Sequence, residues 1–181
     1  MILPEREIEL KDGTKAILKT AETDDAEKMI AFIKQVSGET EFLSHYPEEW
    51  TMSVEQEKGW INHFRNADDI LNITCFVDGE IAGNCDVRFP STIKTAHRSV
   101  IDIAVRRDFW NLGIASHMFP ELIKAAEAHG SEIMELECFE GNERGMALYK
   151  KFGFEVACIA PKAYKLKDGT YQGKVYMQKY L

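Results

Sequence analysis

In "REIELKDGTKAILKT" (6–20) hydrophobic and polar residues alternate in two short runs around Asp12-Gly13, a dipeptide suited to the positive φ of a tight hairpin. This predicts a strand pair. Asp24 with Glu27 three positions on has the form of a capping box, and Met29, Ile33 and Val36 then recur at helical spacing, predicting a helix to about Ser37-Gly38. Ser53 and Gln56 cap a second helix, whose apolar face holds Trp60, Ile61 and Phe64. "ILNITCFVDGEIAGNCDVRF" (70–89) reads as a hairpin around Asp78-Gly79. "RSVIDIAV" (98–105), nearly all apolar, reads as a central strand covered on both faces. A helix over about 113–129 carries Ile114, Met118, Leu122, Ala125 and Ala126 on one face and closes at His129-Gly130. "IMELECF" (133–139) is a strand, and "NERGMALYKKF" (142–152) a helix with Ala147, Leu148 and Phe152 inward and Gly153 as its C′ residue. Strands at 154–160 and 174–180 complete the order β-β-α-α-β-β-β-α-β-α-β-β.

No repeat, linker or low-complexity tract interrupts this order, so residues 1–181 are expected to form a single mixed α/β domain, long enough to bury a core of ordinary size. No window approaches the roughly 18–20 apolar residues of a membrane span. "MILPEREIELKDG" meets acidic residues almost at once and lacks the basic and apolar regions of a secretory signal, which predicts a cytoplasmic location and no membrane partner. The formal charge of −8 disfavours nucleic acid and favours a cationic substrate. Cys75, Cys85, Cys138 and Cys158 each lie in an apolar run with no C-x-x-C pair and no histidine at ligand spacing; they read as reduced, small core residues, with no metal site.

"RRDFWNLGIASHM" (106–118) joins a strand to a helix, and the first amides of that helix, left without acceptors, attract an anion. Gly113 and Ala115 are small enough to let a pyrophosphate approach the backbone, and Arg106 and Arg107 stand just upstream. A plain strand-to-helix turn with a glycine in it is the alternative. Neither G-x-x-x-x-G-K-[ST] nor G-x-G-x-x-G with a following acidic residue is present, which excludes P-loop and dinucleotide-binding readings.

"IAVRRDFWNLGIASHM" (103–118) followed by "LECFEGNERGMALYKKFGFE" (136–155) resembles the GNAT superfamily of N-acetyltransferases. In the family's acetyl-CoA loop, Arg/Gln-x-x-Gly-x-Gly/Ala, the last three positions match Gly113, Ile114 and Ala115, while Trp110 stands at the first. The second stretch, from Asn142 through Leu148-Tyr149 to Gly153-Phe154, is the more specific match. The resemblance covers about 98–156 and implies a GNAT-like α/β fold, a mixed central sheet with helices on both faces. It also implies that the backbone of Ile103, Ala104 and Val105 pairs with the pantetheine arm of acetyl-CoA like an added strand. Asn111, Leu112, Gly113, Ile114, Ala115 and Ser116 would hold the pyrophosphate, Asn142 the pantetheine or its own helix turn, and the 133–139 strand should splay from its neighbour.

Acetyl transfer to an amine needs a proton removed from the ammonium and a proton supplied to the departing thiolate. By the resemblance Tyr149 lies beside the cofactor sulfur as the general acid; its structural alternative is a tyrosine packed on the sheet. Glu137, five residues before Asn142, is the candidate base, with Glu39, Glu41, Glu48, Glu49 and the strand residue Asp102 competing, Asp102 through burial among Ile101, Ile103 and Val105. Phe42, Tyr46 and Trp50 would wall the acceptor pocket or belong to the core. The implied activity is acetyl-CoA-dependent N-acetyl transfer to a primary amine by direct attack in a ternary complex, with a small cationic amine as acceptor. A protein N-terminus or lysine is the rival acceptor, and a non-catalytic acyl-CoA-binding regulator the rival class. The chain is compatible with a homodimer.

Overall fold

Gly13, at φ +87°, turns the chain between β1 (Arg6–Glu9) and β2 (Lys15–Lys19), with the Asp12 carboxylate accepting from the Thr14 amide. The computed structural model describes all residues, Met1–Leu181. A 3-10 turn at Thr23–Asp25, boxed by Glu22 and Asp25 rather than Asp24 and Glu27, leads into α1 (Ala26–Glu39). Ser53 and Gln56 form the reciprocal capping box expected of them and start α2 (Val54–Asn66). Then follow β3 (Ile70–Val77), β4 (Glu80–Arg88), β5 (Arg98–Val105), α3 (Ile114–His129), β6 (Ile133–Phe139), α4 (Glu143–Lys151), β7 (Glu155–Lys165) and β8 (Tyr171–Tyr180). This is the predicted order of elements.

All eight strands form one sheet in the order β1-β2-β3-β4-β5-β6-β8-β7, with β5 and β6 its parallel pair. Helices cover both faces. One core gathers Ile114, Met118, Phe119 and Leu122 of α3 and Tyr149 of α4 against Cys85, Val87, Ile101, Leu136 and Cys138. The other packs Met29, Phe32 and Val36 of α1 and Ile61 of α2 against Phe76 and Ile81. The mixed central sheet with helices on both faces is the architecture that the resemblance implied.

Several side chains depart from their expected places. Trp60 is 49% exposed, because Ile61 and Glu57 occupy the inward side of α2. On α4 the buried residue is Tyr149, while Ala147 is exposed along a cleft. Cys158 is exposed on the edge strand β7, unlike the other three cysteines. The strand β5 is not covered on both faces: Ser99 and Ile101 are buried, but Ile103, Ala104 and Val105 are half-buried and Asp102 is exposed. The reason lies in how β5 and β6 diverge.

Candidate active site

Pairing between β5 and β6 runs from Arg98–Ile133 to Val100–Glu135 and stops there. Beyond it Ile101–Val105 remains bonded to β4, and Leu136–Phe139 to β8. The sheet therefore opens like a V, leaving one edge of β5 without a strand partner. A cavity of about 850 Å³ occupies the opening. Of the residues assigned to the cofactor or to the first-choice catalytic pair, all but Leu112 line it: Ile103, Ala104, Val105, Asn111, Gly113, Ile114, Ala115, Ser116, Glu137, Asn142 and Tyr149. Leu112 instead packs on the core, and its carbonyl accepts from the Lys11 amide.

At the end of β5 the chain makes a 3-10 turn at Arg107–Phe109 and enters α3 through two residues of positive φ, Asn111 (66°) and Gly113 (100°). Gly113 is the N-cap of α3 and offers no side-chain cap. The amides of Asn111, Gly113, Ile114 and Ala115 donate to no backbone acceptor, and all four residues line the cavity, where free amides at a helix start favour an anion. Trp110 fills the loop's first position. Its indole donates to the Val105 carbonyl, and the Arg144 guanidinium of α4 lies 3.0 Å from its ring centroid, with that of Arg107 at 5.4 Å. Nothing in the sequence linked residue 144 to residue 110. Asn142 caps α4 by accepting from the Gly145 amide at 3.0 Å.

Tyr149 projects from α4 to the opening, packed near Phe119 and Phe154. Burial first, then the nearby Cys138 and Asp102, push its phenol well above the usual range, with Arg144 opposing them. It is a protonated hydroxyl at any physiological pH.

The other side of the opening faces α1 and α2. Antiparallel pairing sets Asp86 opposite Asp102, and Asn84 opposite Ala104, on this face. Glu137 shares it, since its neighbours Leu136 and Cys138 belong to the opposite core. Two of the carboxylates have firm partners: Asp102 pairs with Arg88, and Glu137 with Lys174 of β8 at 2.6 Å. Asp102 is thus not buried as its apolar neighbours suggested; its side chain is 61% exposed. The least exposed carboxylate on this face is Asp86, which sequence reading passed over. Burial, reinforced by Asp102 and opposed by Arg88, raises it to about 6. Its only signal in the chain is the alternation Cys85-Asp86-Val87, which places a charge on a strand without saying what that strand faces.

The segment between α1 and α2 roofs this side. Phe42 approaches Phe139, Trp50 donates to Ser37 at 2.8 Å, and Tyr46 accepts from the Lys167 amide at 3.1 Å. The competing carboxylates are engaged there: Glu39 accepts from the Arg107 amide, Glu49 from the Tyr46 amide, and Glu48 pairs with Lys167. Glu41 does not line the cavity.

Residues 37–154 match the model of the acetyltransferase (GNAT) family. The chain is 25% identical over 167 residues to the L-amino acid N-acetyltransferase AaaT of Escherichia coli (strain K12), covering 91% of this chain and 97% of that protein. Among solved structures, a GNAT-family acetyltransferase from Streptococcus pneumoniae superposes with a TM-score of 0.86 at 24% identity, over 92% of this chain and 99% of the other. An acetyltransferase from Salmonella typhimurium, solved with acetyl-CoA, superposes at 0.77 and 16% identity over 91% and 92%. A V-shaped opening beside a helix N-terminus with free amides suits a long anionic cosubstrate, and with the family match it leads to one conclusion: this chain belongs to the GNAT family and is an acetyl-CoA-dependent N-acetyltransferase.

Proposed function

We propose that the enzyme acetylates a small amine that binds as a cation, by direct attack of the amine on the thioester while both substrates are bound. The observation that carries this is the two-sided opening: free amides lie at its α3 end, and Asp86, Asp102 and Glu137 stand on the face toward α1 and α2. In this reading the loop from Asn111 to Ser116 takes the pyrophosphate, and the free edge of β5 at Ile103–Val105 takes the pantetheine amides. Tyr149 supplies the proton to the leaving thiolate. Glu137, tied to Lys174, holds the acceptor ammonium at the β6 wall. A relative that acetylates L-amino acids favours amino acids within the class of small amines. The setting is the cytoplasm, where thiols such as the exposed Cys158 stay reduced.

Initial rates of thiol release over a panel of polyamines, free amino acids and short peptides test this reading. Intersecting lines against both substrates, with a small amine preferred, are expected. Parallel lines would mean a covalent acetyl-enzyme and overturn direct attack, preference for peptides would overturn the acceptor class, and cofactor binding without turnover would favour a regulator.

A further inference from the structure

Among the carboxylates that line the cavity, one lacks a satisfied partner. Asp102 is held by Arg88, Glu137 by Lys174 and Glu39 by the Arg107 amide. The Arg88 Nε lies 3.3 Å from Asp86 Oδ1 but off the line a hydrogen bond needs, and that oxygen is buried without any hydrogen-bond partner. A buried acceptor left unpaired costs about 1–3 kcal/mol, so a fold keeps one where something else donates to it. Asp86 lines the cavity on the side from which the amine would come, its side chain only 19% exposed.

We propose that Asp86 is the proton acceptor of the reaction, taking a proton from the bound ammonium directly or through one water. The proposal rests on the reading of the cleft as an amine acetyltransferase site, and deepens it. The acceptor R–NH3⁺ gives one proton to the Asp86 carboxylate and becomes R–NH2, whose lone pair forms the C–N bond. The C–S bond breaks, the sulfur takes the Tyr149 proton, and the second N–H proton returns to the tyrosinate through solvent. Asp86 then gives its proton to water, so acetyl-CoA and R–NH3⁺ yield the amide, CoA thiol and one H⁺.

The surroundings suit a base. Arg88 on its own strand and Asp102 on β5 are the charges beside it. Asn72, across on β3, is neutral, as are Phe32, Ile33, Val36 and Ser37, the α1 residues that line the cavity. The other titratable groups of the same space are Lys11, Glu39 at the end of α1, His45 from the roof, Glu137 (with Lys174 of β8) and Cys138 from β6, Arg144, Tyr149 and Lys151 from α4, and Tyr164 from β7. A carboxyl raised to about 6 is ionised at neutral pH yet holds a proton better than an exposed one.

The test compares the pH dependence of kcat/KM for the amine in the parent, Asp86→Asn and Glu137→Gln. The parent should show an acid limb with a midpoint close to 6, Glu137→Gln should keep it, and Asp86→Asn should lose both the limb and about 100–10,000-fold of the rate at pH 7. Unchanged acetyl-CoA binding in Asp86→Asn and partial rescue by Asp86→Glu separate this role from a structural one. An Asp86→Asn enzyme within about threefold of the parent, or one that keeps the limb, overturns the proposal. Should the parent acetylate no amine, the acceptor reading fails first, and carbon-13 NMR of the Asp86 carboxyl decides the rest. With CoA bound, added butylamine should lower its midpoint, and an unmoved midpoint overturns the proposal.

Discussion

The indole N–H of Trp110 donates to the carbonyl oxygen of Val105 at 2.7 Å, folding the loop back onto the end of the strand it leaves. The same ring carries the Arg144 guanidinium on its face. A position that in the family motif holds Arg or Gln is here an apolar ring with a borrowed cation, and Arg144 has no carboxylate partner of its own among the ion pairs of the molecule.

Replacing Arg144 with Ala should therefore weaken acetyl-CoA binding by about 10–100-fold, the range of one charge-assisted contact. The loss should shrink as salt is raised, and acetyl-pantetheine, which lacks the diphosphate, should bind equally to parent and variant. Calorimetry at two ionic strengths measures this. Equal losses for both ligands would place the guanidinium elsewhere.

Gly113 sits at φ +100°, where a side chain is strained whatever space surrounds it; a built Cβ would come no closer than 3.6 Å to Lys11. Conformation, not crowding by the protein, demands the glycine. Gly113→Val should lower stability by about 1–2 kcal/mol and acetyl-CoA affinity with it, whereas Gly113→Asn, which tolerates the left-handed region, should retain most of both. Thermal melts with and without acetyl-CoA distinguish the two; equal losses would show that bulk, rather than φ, decides.

The Tyr149 ring is packed among Phe119 and Phe154, so Tyr149→Phe keeps the packing and removes only the proton. Turnover should fall about 100–10,000-fold with acetyl-CoA affinity little changed. Turnover within about threefold of the parent would return Tyr149 to a packing role, while joint loss of binding would make the hydroxyl an organiser of the site.

Asp86 also predicts a pH signature in stability. Its carboxyl rises from 3.8 to about 6 on folding, so the folded protein holds this proton more tightly than the unfolded chain. That contribution is fully present below about pH 3.8 and is lost as pH rises through about 6. At pH 7.5 the buried charge costs about 3 kcal/mol at most, and Asp86→Asn should recover part of it. In urea melts the variant's advantage should narrow steadily from pH 7 to pH 4. An advantage independent of pH would mean the asparagine helps for reasons other than charge.

Local features of this chain were legible because they depend on residues a few positions apart. Ser53 with Gln56 started a helix where the capping box required it, Asn142 capped α4, and the glycines after α3 and α4 took the left-handed φ that ends a helix. The order of twelve elements followed from their periods. Along β5, however, the run Ile101-Asp102-Ile103 implied burial of the aspartate. A strand's alternation says which residues share a face but not whether that face meets a helix or an open cleft.

What only the tertiary structure decided is who meets whom across the opening. The register of β4 on β5 put Asp86 opposite Asp102, the end of β5–β6 pairing after Val100 opened the sheet, and α4 brought Arg144 onto Trp110. Each of these joins residues 16 to 35 positions apart in the chain, whose approach depends on strand order, twist and packing of both cores at once. Short-range patterning determined the parts of this acetyltransferase. The raised pKa of Asp86 came mainly from the water that the assembled fold removes around its carboxylate, which no stretch of sequence announces.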